Sequence, residues 1–255
     1  MNNSAKIEEN DLYNYNLYKA ANTLWYFNEL ILGGFSGYNS VKFKNKEGVY
    51  VWLEKVNIED IYFVGELAEN GISQRVLIND VIDWMIIEDG RLIGGYTIRH
   101  YRDTLEKDAK VSFDNDFGVK IDDGNDFFKS DLATPEGAII TIENFYSEKN
   151  LRGVLSCKDF MEEAKHLLEE RSVNVTEELQ LEIAGTLKAS FIEELEYNGF
   201  PSFKDIERNF GLMEKHGNKC LIREKVIYPD GVTVNNTLWV AYSEGQEWKV
   251  LNNIE

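Results

Sequence analysis

The sequence predicts an α+β protein in two parts. An N-terminal helix precedes antiparallel strands that curl into a small barrel or bent sheet, and a second group then places helices ahead of an antiparallel sheet in a cone-like domain. Three observations predict this: apolar residues at helical spacing in Asp11–Gly34, short β-branched and aromatic runs separated by turn pairs up to Tyr101, and a helices-then-strands order after Thr134.

The first helix rests on Leu17, Ala20, Ala21, Leu24, Phe27, Leu30 and Ile31 at spacings of three and four, stopped by Gly33-Gly34. Strands follow at Val41–Phe43, Val49–Val56, Ile61–Leu67, Val81–Ile87 and Leu92–Tyr101, divided by Glu47-Gly48, Asn70-Gly71 and Asp89-Gly90. The connections are too short for crossovers, so the strands read as an antiparallel meander. Residues 107–132 lose periodicity and are dense in Asp, Asn and Gly, which reads as an acidic linker between domains 1–106 and 133–255.

In the second part Thr134-Pro135 opens a helix, Leu151–Leu168 continues at helical spacing, and Thr176 caps a long helix closed by Gly199. The runs CLIREKVIY, VTVNNTLWVAY and EWKVL, divided by Pro229-Asp230-Gly231 and Glu244-Gly245, then read as a second meander.

Composition narrows the function. Forty-five acidic against 27 basic residues give a net charge of −18, so the chain would repel a phosphate backbone and no nucleic-acid partner is expected. An aromatic content of 13% provides core material that acidic disordered chains lack. No run approaches the length of a membrane span, Met1–Asn10 lacks a basic start followed by an apolar stretch, and the two cysteines are unclustered; a cytoplasmic protein is expected.

The densest motif is Asp83–Asp103, DWMIIEDGRLIGGYTIRHYRD, read as a hairpin with a type I′ turn at Asp89-Gly90 and a bulge at Gly94-Gly95. Trp84, Asp89, Tyr96 and Arg99 are the candidate binding surface, weighed against the plainer reading that Trp84 is core, Asp83 satisfies a turn and Arg99 pairs with a carboxylate. At these residues the chain resembles the YegJ-like bacterial domain of unknown function. The likeness covers about residues 13–105: the first helix, Trp52-Leu53, the IYFVGEL strand, Asp83-Trp84-Met85, Asp89-Gly90, Leu92 and Gly94–Arg99. It implies a small domain without established activity and supplies no catalytic set. Ile78-Asn79-Asp80 stands where such domains usually have a Gly-Asp turn. The second part resembles SnoaL-like, cystatin-type cones in element order and in the ending Leu238–Tyr242 and Glu247–Val250; this implies an apolar pocket, with Tyr146, Phe160 and Trp239 as candidate lining.

Catalytic constellations fail. Cys157 and His166 fall on opposite faces of a continuous helix, which leaves a buried cysteine and a surface histidine unless the helix breaks near Asp159. His100 and His216 lack neighbours at metal-ligand spacing, and no metal or cofactor is expected. The acidic run starting at Asp114 puts Gly118 and Val119 at the wrong positions for an EF-hand; weak cation binding by Asp122, Asp123 and Asp126 is the residual reading. The leading expectation is a non-enzymatic binding protein, for instance an acidic immunity or inhibitor protein for a basic partner. The alternative is a cone that holds a small apolar ligand or uses a pocket carboxylate.

Overall fold

The computed structural model describes residues 9–253 and divides into two compact units, the first ending at Phe127 and the second beginning at Phe128. The Met1–Asn10 reading therefore falls almost wholly outside the described residues. The fold is mixed α+β, as the element order predicts. Helix α1 (Glu9–Leu32) leads to β1 (Tyr38–Lys44), β2 (Tyr50–Glu59), β3 (Tyr62–Leu67), β4 (Ser73–Leu77), β5 (Val81–Glu88) and β6 (Arg91–Gly94). Two helices, α2 (Tyr96–Thr104) and α3 (Lys107–Phe117), complete the first unit.

The six strands form one antiparallel sheet in the order β4-β3-β2-β1-β5-β6, open at both ends. Of the barrel and the bent sheet left open by the sequence, no closed barrel forms: the strands make an open sheet, and the meander is interrupted. A one-turn 3₁₀ helix at Ile78–Asp80 sends β5 back to the free side of β1 instead of alongside β4. On one face α1 lays Ala20, Phe27 and Ile31 onto Val41, Leu53, Trp84 and Ile86. On the other, Met85 and Leu92 pack with Ile98 of α2 and with Phe113 and Phe117 of α3.

Two segments differ from the sequence reading. The strand expected over Leu92–Tyr101 stops at Gly94, and a helix begins at Tyr96. Gly94 and Gly95 have φ of 69° and 64°, a left-handed pair that ends extended backbone and turns the chain onto the second face. The stretch read as an acidic linker starts with α3, whose Phe113 and Phe117 stack at 5.8 Å one helical turn apart. It then runs along the β6 edge, where Leu92 N–H donates to the Lys120 carbonyl at 3.0 Å, and Lys120 N–H to the Gly90 carbonyl at 2.8 Å. Its end reaches α1: Phe127 stacks on Tyr26 at 3.7 Å, and Lys19 pairs with Asp126 at 2.6 Å, both side chains buried.

The second unit holds α4 (Pro135–Ser147), α5 (Leu151–Ser156), α6 (Phe160–Glu170) and α7 (Glu177–Asn198), then β7 (Glu207–His216), β8 (Lys219–Ile227), β9 (Thr233–Tyr242) and β10 (Trp248–Asn253). The strands form an antiparallel sheet in the order β10-β9-β8-β7. Thr134 caps α4 through the Gly137 N–H at 2.9 Å with Pro135 at the first position, and Thr176 caps α7 through the Leu179 N–H at 3.3 Å. The single helix expected over Leu151–Leu168 is two: the chain breaks at Cys157–Asp159, and Asp159 caps α6 through the Glu162 N–H at 3.0 Å.

Candidate functional site

The polar atoms of the Asp83–Arg99 motif are turned inward. Asp83 is fully buried, and its carboxylate accepts four hydrogen bonds. Oδ1 receives the Trp84 and Tyr96 N–H groups at 2.9 and 3.1 Å, and Oδ2 receives the Thr97 N–H and hydroxyl at 2.7 and 2.6 Å. The Tyr96 and Thr97 N–H groups are the first of α2, so a carboxylate on β5 caps a helix that has no side-chain cap of its own. Burial pushes the Asp83 carboxyl above the usual range while these donors pull it down. With all four donors aimed at it, the acceptor-only ionised form is the one that fits.

Trp84 and Tyr96, expected at an exposed surface, are corrected to core. They are 0% and 2% exposed, because β5 turns Trp84 toward α1, where its indole N–H donates to the Ala20 carbonyl and the Thr23 hydroxyl at 3.2 and 3.1 Å. Arg99 is likewise corrected from recognition to fastening. Its guanidinium donates to the Gly94, Leu92 and Asp122 carbonyls, tying α2 to β6 and to the edge segment. Asp89 is the one member of this set left exposed, in a turn where it and Gly90 have φ of 50° and 72°, as a type I′ turn requires. Asp122 pairs with Arg91 at 2.8 Å and Lys120 at 3.1 Å, and Asp126 with Lys19, so two of the three carboxylates considered for a cation are matched to the protein's own cations.

With the motif consumed in this way, a concave feature of the first unit lies beside it. A cavity of about 360 Å³ opens between the second face of the sheet and helices α2 and α3. Strand alternation places Tyr38 and Lys42 of β1, Trp52 and Glu54 of β2 and Met85 of β5 on this face, because their neighbours Val41, Leu53 and Trp84 point to α1. Helix α2 adds Ile98 and Tyr101, and α3 adds Phe113 and Phe117. At the floor, the Lys42 ammonium donates to the Thr97 hydroxyl at 3.1 Å and lies 5.6 Å from the Trp52 ring and 5.8 Å from the Tyr50 ring. Burial lowers the Lys42 pKa, and the Asp83 charge behind Thr97 opposes that fall. At the rim, the Tyr38 hydroxyl donates to Glu54 Oε1 at 2.8 Å; burial, then that carboxylate, raise the Tyr38 pKa. Tyr38, Tyr50 and Tyr101 are 39%, 49% and 55% exposed. Sequence reasoning missed this groove, although the alternation of Lys42 with Val41 and Phe43, and of Trp52 with Val51 and Leu53, carried its signal.

In the second unit the three pocket candidates have separate ring partners: Tyr146 meets Phe200 and Phe203, Phe160 meets Phe191, and Trp239 meets His166 and His216. His166, expected at the surface, is corrected to 7% exposed; its ring lies 4.8 Å from Trp239, and Nδ1 is 3.2 Å from the Lys219 ammonium. Cys157 is 0% exposed, and burial pushes its thiol up, the opposite of an activated nucleophile. A polar cluster that sequence reasoning did not find lies where α4 faces the sheet. Arg208 Nε and Nη2 both reach Glu143 Oε2 at 2.8 Å, Arg208 Nε is 3.4 Å from Glu224 Oε1, and the Asn236 amide donates to Glu224 Oε2 at 3.1 Å. Glu143 and Glu224 are 4% and 0% exposed. Burial first, and then Glu224's charge, raise the Glu143 pKa well above the usual range; burial raises Glu224 as well. Among the described residues, no group of three His, Cys, Asp or Glu is placed to hold a metal ion, and no helix is long and apolar enough to cross a membrane.

Comparison with known proteins reaches only part of the chain. A curated protein of Neisseria meningitidis serogroup B, whose name assigns it provisionally to the ankyrin repeat proteins, is 21% identical over 132 residues, 48% of each chain. The chain thus spans about half the length of that relative. No solved structure matches. Residues 37–121, which run from β1 through the edge segment and include every side chain of the groove, match the family described as "Uncharacterized protein conserved in bacteria (DUF2314)".

Proposed function

We propose that this chain is a non-enzymatic binding protein whose first unit takes its ligand in the groove between the sheet and helices α2 and α3. The observation that carries the reading is the contrast within the first unit. The motif's carboxylate, indole and guanidinium are saturated by the fold itself, while the adjoining cavity of about 360 Å³ keeps aromatic walls, a cation at its floor and a carboxylate at its rim. That volume lies within the range of about 300–1,000 Å³ typical of small-molecule sites. An enzyme reading is weaker here because the Thr97 hydroxyl, which lies between Lys42 and Asp83, is buried and makes both of its hydrogen bonds within the fold. A fragment screen by protein-observed NMR tests the proposal. Saturable shifts are expected at Trp52, Ile98, Tyr101 and Phe113, and a screen whose shifts scatter over both units without saturation there sinks it.

A second reading keeps the basic protein partner, and with it the inhibitor or immunity role. Its support is the net charge of −18, together with the exposed Tyr38, Tyr50 and Tyr101 around the groove mouth, since charge speeds encounter and aromatic anchors hold it. The relative named for ankyrin repeats is in keeping with a role in binding, although the repeat architecture in its name differs from the two sheets found here. Association that persists unchanged from low to high salt argues against this reading. For the second unit, a SnoaL-like cone rests on the order of four helices before a four-stranded antiparallel sheet. A crystal structure of that unit with its interior filled by Tyr146, Phe160 and Trp239 side chains removes the pocket from this reading.

A further inference from the structure

The charges of the groove specify a ligand more narrowly than its volume does. Lys42 and Glu54 lie on the same sheet face in adjacent strands: Lys42 is opposite Trp52 and Ser40 is opposite Glu54, so the two are diagonal neighbours. Such positions are about 7–8 Å apart at Cα. Among the described residues neither forms an ion pair, with the other or with any third group. The Lys42 ammonium spends one hydrogen bond on Thr97, and Glu54 spends Oε1 on the Tyr38 hydroxyl, which leaves ammonium N–H groups and Oε2 to be satisfied from the cavity. A half-buried ammonium and a carboxylate on neighbouring strands of one aromatic-lined face make a bipolar site.

We infer that the groove binds a free α-amino acid with a large apolar side chain, an inference that rests on the groove being the ligand site. The carboxylate of the ligand meets Lys42 at the floor and its ammonium meets Glu54 at the rim. The apolar side chain lies against Met85 and Ile98 between the Trp52 and Phe113 rings. A simple anion of the same shape satisfies Lys42 but brings a second negative charge toward Glu54. A simple cation satisfies Glu54 but approaches Lys42. A neutral apolar molecule leaves both groups without partners in a partly dried site. A ligand that carries both charges beside an apolar side chain matches the signs of the two groups and the aromatic lining together.

Isothermal titration of the full chain with L-phenylalanine, 3-phenylpropionate and phenethylamine tests this, because the three share a phenyl ring and differ in charge. Phenylalanine is expected to bind about tenfold or more tighter than either analogue, the worth of one charge-assisted hydrogen bond. Glu54→Gln, at a half-exposed rim position, is expected to keep the fold and erase the preference over 3-phenylpropionate. Lys42→Met is expected to erase the preference over phenethylamine, with circular dichroism confirming that it folds. If either singly charged analogue binds as tightly as phenylalanine, the amino-acid assignment is overturned and the groove stands as a ligand site. If none of the three binds at millimolar concentration while the NMR fragment screen also fails to saturate the groove, both readings are overturned; a saturating screen with no heat from the three overturns the amino-acid assignment alone.

Discussion

Each unit buries carboxylates beneath a helix, and the two do so in opposite ways. In the first, one carboxylate is surrounded by four donors, three of them backbone N–H groups, so Asp83 works as an ionised fastener between β5 and the start of α2. In the second, Glu143 and Glu224 converge on the single guanidinium of Arg208. Two negative charges against one positive charge in a dry interface favour a proton held between them. The difference teaches that a buried acid is read by its donors: saturated by N–H groups it fixes geometry, and short of cations it stores a proton.

The most severe way to break the first arrangement is Gly94→Ala. A Cβ there overlaps the Trp84 carbonyl oxygen, comes within 2.8 Å of the Trp84 ring, and is attached to backbone at φ 69°. Neither contact can relax, because Trp84 is core and its N–H is held by Asp83. A loss above about 4 kcal/mol is expected in urea unfolding, enough to unfold a marginal unit. A loss below about 1 kcal/mol means that the strand-to-helix turn is not rigid. Asp83→Ala comes next: it leaves the Trp84, Tyr96 and Thr97 N–H groups without their acceptor, at a cost of about 3–5 kcal/mol. Hydrogen exchange is expected to quicken first at the start of α2, and uniform quickening across the sheet contradicts the capping role.

The second arrangement predicts the opposite sign. Glu143's folded pKa is raised above its ordinary 4.5, so the folded state holds that proton more tightly than the unfolded chain does. The stability this provides is present at low pH and is lost as pH rises from about 4.5 through the raised pKa. Glu143→Gln keeps the shape, removes that titration and leaves Arg208 paired to Glu224. Measured by urea unfolding, the variant is therefore expected to gain on the parent by about 1–2 kcal/mol between pH 4.5 and 8. Parallel stability curves for the two proteins dispose of the shared proton.

These contrasts also mark what the sequence could disclose. The long elements were legible from local signals: α1 carries helical spacing, Thr134 announces α4, and Thr176 and Gly199 bracket α7. Two edge strands, β4 and β7, were harder to read. Strand β4 has one buried residue, and β7 is exposed along its second half, so neither shows the alternation that reveals a half-buried strand. The acidic stretch was misjudged because its composition suggests a solvated linker, whereas Asp126 and Asp122 are matched to Lys19 and Arg91, partners remote in sequence. Helix α3 did leave a trace in Phe113 and Phe117, four residues apart. The motif around Trp84 was recognisable as a pattern, but whether its side chains face out or in is decided by α1, which lies more than sixty residues earlier. The groove is harder still, since Lys42, Glu54 and Tyr101 gain meaning only once β1, β2 and α2 share a face.

Asp89 supplies the smallest effect and the sharpest control. It belongs to the same motif as Asp83 and Trp84, yet it is exposed, and the sequence reading of its turn agrees with its backbone: φ is 50° at Asp89 and 72° at Gly90. Aspartate tolerates this left-handed geometry at a modest cost that glycine does not incur, while glycine adds backbone entropy to the unfolded chain. The two terms nearly cancel, so Asp89→Gly is expected to change stability by less than about 0.5 kcal/mol and to leave ligand titrations of the groove unaltered. Asp89 is not one of the residues that line the cavity, so a change in affinity on Asp89→Gly would mean that the recognition surface extends to the β5–β6 turn. Unchanged affinity, set against losses on Lys42→Met, confines recognition to the face where the fold left its charges unspent.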